Sequence, residues 1–193
     1  MRAALLAAIF LLLSAGDSSA EWQVRPFLGV SFQVDTTFVL SEAGAAPNVV
    51  IGGSGALLGD VFGVEGEVSW APGFFQSGDD LLIRGNNVTT LTGNGIIAMP
   101  SRLRQYTLGP YFVVGAGMMH VHIDDLSAFV PVAVTLPAMD IGGGVTGFLT
   151  DKVGLNWEAR YFTSVGEGKV RGLSFGPEHI SFWRASMGLV LKY

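Results

Sequence analysis

The sequence has no cysteine among its 193 residues, and charged side chains make up only 14% of it. Without cysteine the chain has no disulfide, no thiolate metal site, no cysteine nucleophile and no acylated cysteine of a lipoprotein. Its formal net charge of −5 argues against a nucleic-acid partner, because such a partner requires a basic surface. Soluble proteins carry about 25% charged residues, so this shortage of charge is unusual for a soluble domain.

Long hydrophobic runs are also missing from most of the chain. After Leu13 no apolar run approaches the roughly 20 residues of a transmembrane helix. Before it, Arg2 precedes an apolar stretch, and Ser18 and Ala20 occupy the small-residue positions of a signal-peptide cleavage site. We therefore predict a secretory signal peptide at 1–20 and a single mature domain at 21–193. High apolarity without helical spans favours a β-barrel, the other structure that satisfies every backbone group in lipid.

The last twelve residues, FWRASMGLVLKY, show the alternation expected of such a barrel. Every second residue back from the end is apolar: Tyr193, Leu191, Leu189, Met187, Ala185 and Trp183. The residues between them are mostly small or charged: Lys192, Val190, Gly188, Ser186 and Arg184. Since successive side chains of a strand point to opposite faces, this segment is predicted to be a strand with one face toward lipid.

Seven further segments share this period of two. The eight predicted strands cover 23–32, 48–58, 61–71, 88–99, 109–124, 138–149, 152–163 and 182–193. Long loops follow the odd-numbered strands, at 33–47, 72–87, 125–137 and 164–179, and shorter connections follow the even-numbered ones. This layout predicts an all-β fold, an eight-stranded antiparallel up-and-down transmembrane β-barrel. An even strand count places both ends of the mature chain on the short-turn side, which we expect to be periplasmic.

The predicted inward faces carry four acids and four bases. They are Arg25, Glu65, Glu67, Asp140, Glu158, Arg160, Arg184 and Lys192. Side chains just fill the interior of an eight-stranded barrel, and an unpaired buried charge is very costly. We therefore expect a network of paired charges that plugs the lumen. The alternative is an ion path along these charges.

Aromatic residues on the predicted outward faces are expected to form girdles at the two membrane interfaces. They are Trp22, Trp70, Trp157, Tyr161, Trp183 and Tyr193.

Six motifs occur in order along the mature chain: RPFLGVSF, GVEGEVSW, VTTLTGNGIIAMP, GPYFVVGAGM, LTDKVGLNWEARYF and a last strand that ends in an aromatic residue. In this order they resemble the small outer-membrane β-barrel family that includes the transmembrane domain of outer membrane protein A. The resemblance covers essentially all of 21–193. It implies an outer-membrane location, a monomer surrounded by outer-membrane lipids, and insertion by the barrel assembly machinery. The assembly signal would be the C-terminal Met187, Leu189, Leu191 and Tyr193.

The predicted function is a structural or surface-interaction role through the long loops, with an unidentified surface partner and no cofactor. A narrow porin-like channel is one alternative, and a lipid-modifying enzyme is another. His120, His122 and Asp124 share one strand face and, with His179 near the same rim, could ligate a metal or act as a base for Ser127. Lipid A deacylases among these barrels use a His-x-Ser strand motif that the sequence lacks at this position, so no catalytic or metal site is predicted.

Overall fold

The structure, a computed structural model, describes residues 21–36, 47–74, 83–100, 108–125, 132–165, 169–170, 173–174 and 179–193. The predicted signal peptide and most of each predicted long loop lie outside these ranges. The strands are β1 Glu21–Thr36, β2 Asn48–Leu58, β3 Phe62–Pro72, β4 Ile83–Ala98, β5 Leu108–Asp125, β6 Val132–Phe148, β7 Val153–Ser164, β8 Lys169–Val170, β9 Leu173–Ser174 and β10 Ile180–Lys192. No helix in the described part of the chain is long and apolar enough to cross a membrane.

Eight of these strands close into one barrel in the order β1, β10, β7, β6, β5, β4, β3, β2, and every neighbouring pair is antiparallel. The first and last strands close the barrel, with Leu28 opposite Met187. The backbone N–H of Tyr193 donates to the carbonyl of Trp22 at 3.0 Å, which ties the two ends together. The predicted eight-stranded antiparallel barrel is therefore confirmed. The two-residue strands β8 and β9 form a separate hairpin that the sequence pattern did not predict.

The barrel has a turn end and a loop end. The turn end carries the connections after β2, β4 and β6, and both Glu21 and Tyr193 lie there. The loop end carries the connections after β1, β3, β5 and β7.

Strands β1, β4 and β6 reach four, five and six residues further toward the loop end than predicted, and β5 reaches one residue further. Strand β1 has 16 residues. Strands β4, β5 and β6 have 16, 18 and 17 residues, against the roughly 9–11 that a tilted strand needs to span a bilayer. The prediction of loop at 125–137 was wrong for 132–137, which is strand. Pro137 is tolerated because its carbonyl accepts from Val165 on the β7 side, so its nitrogen faces that side too, where the ladder with β7 stops at Ala138. The proline therefore lies at the end of this ladder, where the donor that it lacks would have made only the last bond toward β7.

The outward face of the barrel is apolar over most of its height. Met187 is 57% exposed and Leu189 48% exposed, while Leu191 is half-buried. The predicted girdle residues all point outward. Trp22 and Tyr193 lie at the turn end, Trp157 lies between the ends, and Trp70, Tyr161 and Trp183 lie toward the loop end. The rings of Tyr161 and Trp183 pack together with centroids 5.3 Å apart.

Replacing Leu189 with arginine tests this lipid-facing surface. Leu189 lies on the outward face of β10 between Trp183 and Tyr193, so an arginine there would have to enter the apolar band. We expect Leu189→Arg to lower the free energy of folding into lipid by roughly 2–4 kcal/mol, the cost of arginine at a bilayer midplane. The measurement is denaturant-dependent folding into lipid vesicles. Leu149→Arg is the control, because Leu149 is exposed in the β6–β7 turn and an interfacial arginine costs about 0–1 kcal/mol. Equal losses for both variants would mean that Leu189 does not face lipid.

Candidate functional site

The interior of the barrel is arranged in layers along its axis. A layer of charged and polar side chains lies in the middle. A large apolar cluster fills the lumen between this layer and the loop end, and a smaller one lies toward the turn end. Each layer is built from the inward residues of several strands, so its composition follows from the period of two.

Arg160 on β7 is the centre of the charged layer. Its side chain is 1% exposed and forms ion pairs with four carboxylates. The shortest of its hydrogen bonds go to Glu158 on its own strand, at 2.6 Å and 2.7 Å, and to Glu65 across the lumen, at 2.6 Å. Glu67 and Asp140 follow at 3.4 Å and 3.3 Å. One guanidinium therefore links β3, β6 and β7 across the lumen.

Arg184 on β10 is bound by both charge and aromatic rings. Its two terminal nitrogens donate to the carboxylate of Glu67 at 2.6 Å and 2.9 Å, and one also reaches Glu158 at 3.2 Å. The guanidinium carbon lies 4.5 Å from the ring centroid of Phe27 and 4.9 Å from that of Phe162. Because Phe162 belongs to the apolar cluster, this guanidinium contacts both the charged layer and that cluster. Cation–π contacts are stronger where water is excluded.

Arg25 on β1 completes the layer. Its guanidinium donates to the side-chain oxygen of Gln23 at 2.8 Å and lies 3.4 Å from the carboxylate of Glu65. It also lies 5.4 Å from the ring centroid of Tyr111.

Lys192, the eighth predicted charge, lies apart from this layer. It pairs with Glu21 at the turn end, where both side chains are partly exposed. The sequence-based expectation of four bases balancing four acids is therefore wrong for the layer itself, which contains three guanidinium groups and four carboxylates. Lys192 is on the inward face of β10, but it lies so close to the turn end that its side chain is outside the enclosed part of the lumen.

Neutral side chains complete the layer, and the sequence reading missed them. Ser54 donates to Glu65 at 3.1 Å, and the Asn94 amide donates to the same carboxylate at 2.9 Å. The hydroxyl of Tyr111 donates to Glu158 at 2.7 Å. All of them lie on inward strand phases beside predicted inward charges. Their position on inward strand faces was the only sequence signal for them, and a search restricted to ionisable residues does not find neutral hydrogen-bond donors.

Two glycines make room for these side chains. A Cβ on Gly144 would lie 2.6 Å from the Tyr111 hydroxyl oxygen. A Cβ on Gly115 would lie 1.8 Å from Oδ1 of Asn94 and 2.8 Å from Oδ1 of Asp140. These glycines are therefore required for side-chain space in a narrow lumen.

The surplus carboxylate of the layer can be identified from its contacts. One oxygen of Asp140 accepts from Arg160 at 3.3 Å, and the other, Oδ1, has no hydrogen-bond partner among the described residues. Oδ1 of Asn94, close by over Gly115, also has none there. Glu65, Glu67 and Glu158 each accept short bonds from guanidinium groups. Asp140 is thus the least well-compensated acid of the layer.

The apolar cluster closes the lumen toward the loop end. Its buried members are Val50, Ala71, Phe74, Val88, Met119, Val121, Val134, Leu136, Ala138, Phe162, Ile180 and Phe182, with Phe27 and Val34 packed against them. Phe182 lies at its centre, stacked on Phe162 at 5.1 Å and edge-on to Phe74 at 5.0 Å. We refer to this cluster as the apolar plug. It excludes water from the lumen between the charged layer and the loop end.

The histidines lie outside the lumen. On β5 the residues Tyr111, Val113, Met119 and Val121 point inward. His120 therefore points outward and is exposed, and its Nδ1 lies 2.9 Å from the hydroxyl of Thr135 on β6. His179 lies near Thr163, on the other side of the barrel. Among the described residues no group of three or more His, Cys, Asp or Glu could hold a metal ion. Ser127 lies outside the described residues.

Removing Arg160 tests the layer as a structural unit. Arg160→Ala would leave Glu65, Glu158 and Asp140 without their shared cation, and breaking a buried pair costs roughly 3–5 kcal/mol. We expect a loss of unfolding free energy of that size in detergent or lipid. Lys192→Ala is the control and should cost about 1 kcal/mol or less, because a partly exposed pair contributes little. A loss for Arg160→Ala no larger than the control would contradict a paired, buried layer.

Neutralising single acids tests the assignment of the surplus charge. Asp140→Asn removes the unmatched charge and supplies an amide that can donate to Oδ1 of Asn94, so we expect stability within about 1 kcal/mol of wild type. Glu158→Gln removes an acceptor of Arg160, Arg184 and Tyr111 and should cost roughly 3 kcal/mol. Both values come from unfolding titrations under one set of conditions. If Asp140→Asn cost as much as Glu158→Gln, Asp140 would not be the surplus group.

Comparison with known proteins places this architecture. No family model matches the chain, and no curated protein matches its sequence. Among solved structures it is similar to the Neisserial surface protein A, NspA, with a TM-score of 0.67 and 11% identity over 90% of this chain and 97% of that one. It is similar to the N-terminal β-barrel domain of OprF from Pseudomonas aeruginosa, with a TM-score of 0.52 and 17% identity over 90% of this chain and 97% of that one.

A third similar structure is Ail, the attachment invasion locus protein of Yersinia pestis, in complex with the heparin analogue sucrose octasulfate. Its TM-score is 0.50, with 13% identity over 89% of this chain and 99% of that one. The resemblance seen in the sequence is thereby confirmed at the level of the fold: the chain has the architecture of the small outer-membrane β-barrels.

Proposed function

We propose that this chain is an outer-membrane β-barrel that acts through its loop end at the cell surface and conducts no solute. The closed lumen is the observation that carries the proposal. A conducting barrel needs a continuous file of water, and two different barriers stand in its way here. The charged layer holds three guanidinium groups against four carboxylates, and the apolar plug lies between that layer and the loop end.

The two barriers reinforce each other. Opening the charged layer would separate buried ion pairs, which costs several kcal/mol per unpaired charge. Even then, water would meet the plug, where Phe74, Phe162 and Ile180 have no measurable exposure. Arg184 belongs to both barriers, since it pairs with Glu67 and packs against Phe162. This arrangement favours a structural or surface-interaction role over the porin-like alternative.

The projecting strands support a role at the loop end. Strands β4, β5 and β6 have about six residues more than a bilayer span requires, equivalent to about 20 Å along each strand. They are neighbours in the barrel, so they extend it beyond the membrane as a three-stranded sheet. Such a projection, with the connections at its end, is a platform for contacts outside the membrane. Ail, which has a similar fold, is named for attachment and invasion, and we propose an analogous surface role here.

The proposal includes an orientation. The turn end, with Glu21 and Tyr193, would face the periplasm, and the loop end would face the exterior. The barrel assembly machinery would bind the last strand through Met187, Leu189, Leu191 and Tyr193. These residues point outward or lie at the exposed end of the strand.

Changing Tyr193 tests the assembly role separately from stability. The side chain of Tyr193 is 83% exposed, and the hydrogen bond to the carbonyl of Trp22 is donated by its backbone N–H. Because Tyr193→Ser keeps that backbone bond, we expect refolding in detergent to be nearly unchanged. Insertion in cells, measured by membrane fractionation and heat-modifiable gel migration, should fall severalfold. Tyr193→Phe keeps the aromatic ring and should insert normally. Equal insertion of all three proteins would contradict a signal at Tyr193.

Single-channel recording in planar bilayers tests the closed lumen. We expect the wild type to show no large, steady conductance. Arg160→Ala and Phe182→Ala each remove one barrier and should give at most brief openings. The double variant, selected for folded gel migration, should conduct small ions measurably, because both barriers are then weakened. Steady conductance by the wild type would replace this proposal with the channel alternative.

A further inference from the structure

The outward face of β3 to β6 changes chemistry abruptly near the loop end. Register pairing aligns outward residues of these strands in rows. One row contains Val68, Leu91, Met118 and Pro137, all apolar and all exposed. The next row toward the loop end contains Trp70, Thr89, His120 and Thr135. The row after that contains Pro72, Asn87, His122 and Ala133.

A lipid-facing wall therefore becomes a hydrogen-bonding wall within a single step. Two residues along a strand cover about 6.6 Å, which is short compared with the roughly 30 Å of a bilayer's hydrocarbon core. The step occurs at the same register on three adjacent strands, between Leu91 and Thr89, Met118 and His120, and Pro137 and Thr135. If the apolar row contacts lipid tails, the next two rows face the lipid headgroups.

The chemistry of these two rows selects a class of headgroup. Neither row contains Asp, Glu, Lys or Arg, and the side chains offer mainly hydroxyl, amide, imidazole and indole donors. A donor-rich surface suits a ligand rich in acceptor oxygens, such as a phosphate. Thr135 engages Nδ1 of His120 at 2.9 Å, so Nε2 is the ring nitrogen that can reach such a ligand. Trp70 stands at the edge of the row, 47% exposed, where an indole can pack on a sugar ring.

The boundary on the opposite wall differs. There the corresponding outward residues are Phe32, Trp183 and Tyr161, aligned by register across β1, β10 and β7. These residues form an aromatic girdle, and beyond it toward the loop end the hydroxyl of Thr163 lies 3.5 Å from Nε2 of His179. On β1, β10 and β7 an aromatic row therefore separates the apolar wall from the nearest Thr–His pair, whereas on β4, β5 and β6 hydrogen-bonding side chains follow the apolar row directly.

We propose that Trp70, Thr89, His120 and Thr135, with Asn87 above them, form a binding surface for the phosphorylated sugar headgroup of a glycolipid in the leaflet at the loop end. This rests on the proposed membrane location and orientation. It adds a specific lateral partner, bound beside the barrel in the plane of the membrane, to the contacts proposed for the loops.

Lipid titration of the full mature chain, refolded in detergent micelles, tests the proposal. The probes are diphosphoryl lipid A, phosphatidylglycerol and phosphatidylcholine, and bound lipid is counted by native mass spectrometry. We expect diphosphoryl lipid A to bind about tenfold more tightly than phosphatidylglycerol. The double variant His120→Ala with Thr135→Val should lose about tenfold in affinity for diphosphoryl lipid A, equivalent to about 1.4 kcal/mol.

Matched variants separate this surface from the rest of the rim. Thr163→Val removes an outward hydroxyl on β7, on the opposite side, and should stay within about twofold of wild type. His120→Gln keeps a donor and should retain most of the affinity, which guards against a double variant that folds poorly.

Two outcomes would overturn the inference alone: equal binding of lipid A and phosphatidylglycerol, or unchanged lipid A affinity in a folded double variant. A wild-type chain that never gains heat-modifiable migration in micelles or lipid would overturn the proposed membrane barrel as well.

Discussion

The need to compensate buried charge governs the structure. An eight-stranded barrel encloses too little space for water to solvate ions, so every charged side chain on an inward phase must find partners inside the lumen. Arg160 meets this need for four carboxylates on three strands at once. Its long side chain reaches across the barrel to β3, and Gly115 and Gly144 remove the Cβ atoms that would occupy the space of neighbouring side chains. The positions of the smaller residues thus follow from the requirements of the charges.

The barrel reverses its polarity along its own length. At the level of the charged layer it is apolar outside and polar inside, an arrangement that suits a membrane. Toward the loop end it becomes apolar inside, at the plug, and polar outside, at His120 and Thr135. The second arrangement is that of a water-soluble β-structure. Because one continuous set of strands carries both, the switch marks where the surroundings of the proposed barrel change from lipid to water.

Much of this could be predicted from the sequence, because a period of two is a strong local signal. On β10 and β3 alternation placed Leu189, Glu65 and Glu67 on the correct faces. The alternation was harder to recognise where the polarity reverses. At 132–137 the inward residues are apolar, and no charged residue shows which face points inward. It could not reveal which inward charges meet, because the distance from Arg160 to Glu65 depends on barrel closure. Nor could it show that Lys192, on the correct face, lies beyond the enclosed lumen.

The reversal also constrains how function can be distributed. In the proposed non-conducting barrel, solute passage would require breaking the ion pairs and the contacts of Phe162 and Phe182 that stabilise the fold. A substitution in the interior would therefore act mainly on stability. The outward face near the loop end is under no such constraint, since Thr89, His120 and Thr135 can change without exposing a buried charge. Specific recognition can therefore evolve on this outer wall and on the loops above it while the interior remains fixed. The interior acts as the rigid support that holds the donor-rich rows at a set depth in the membrane.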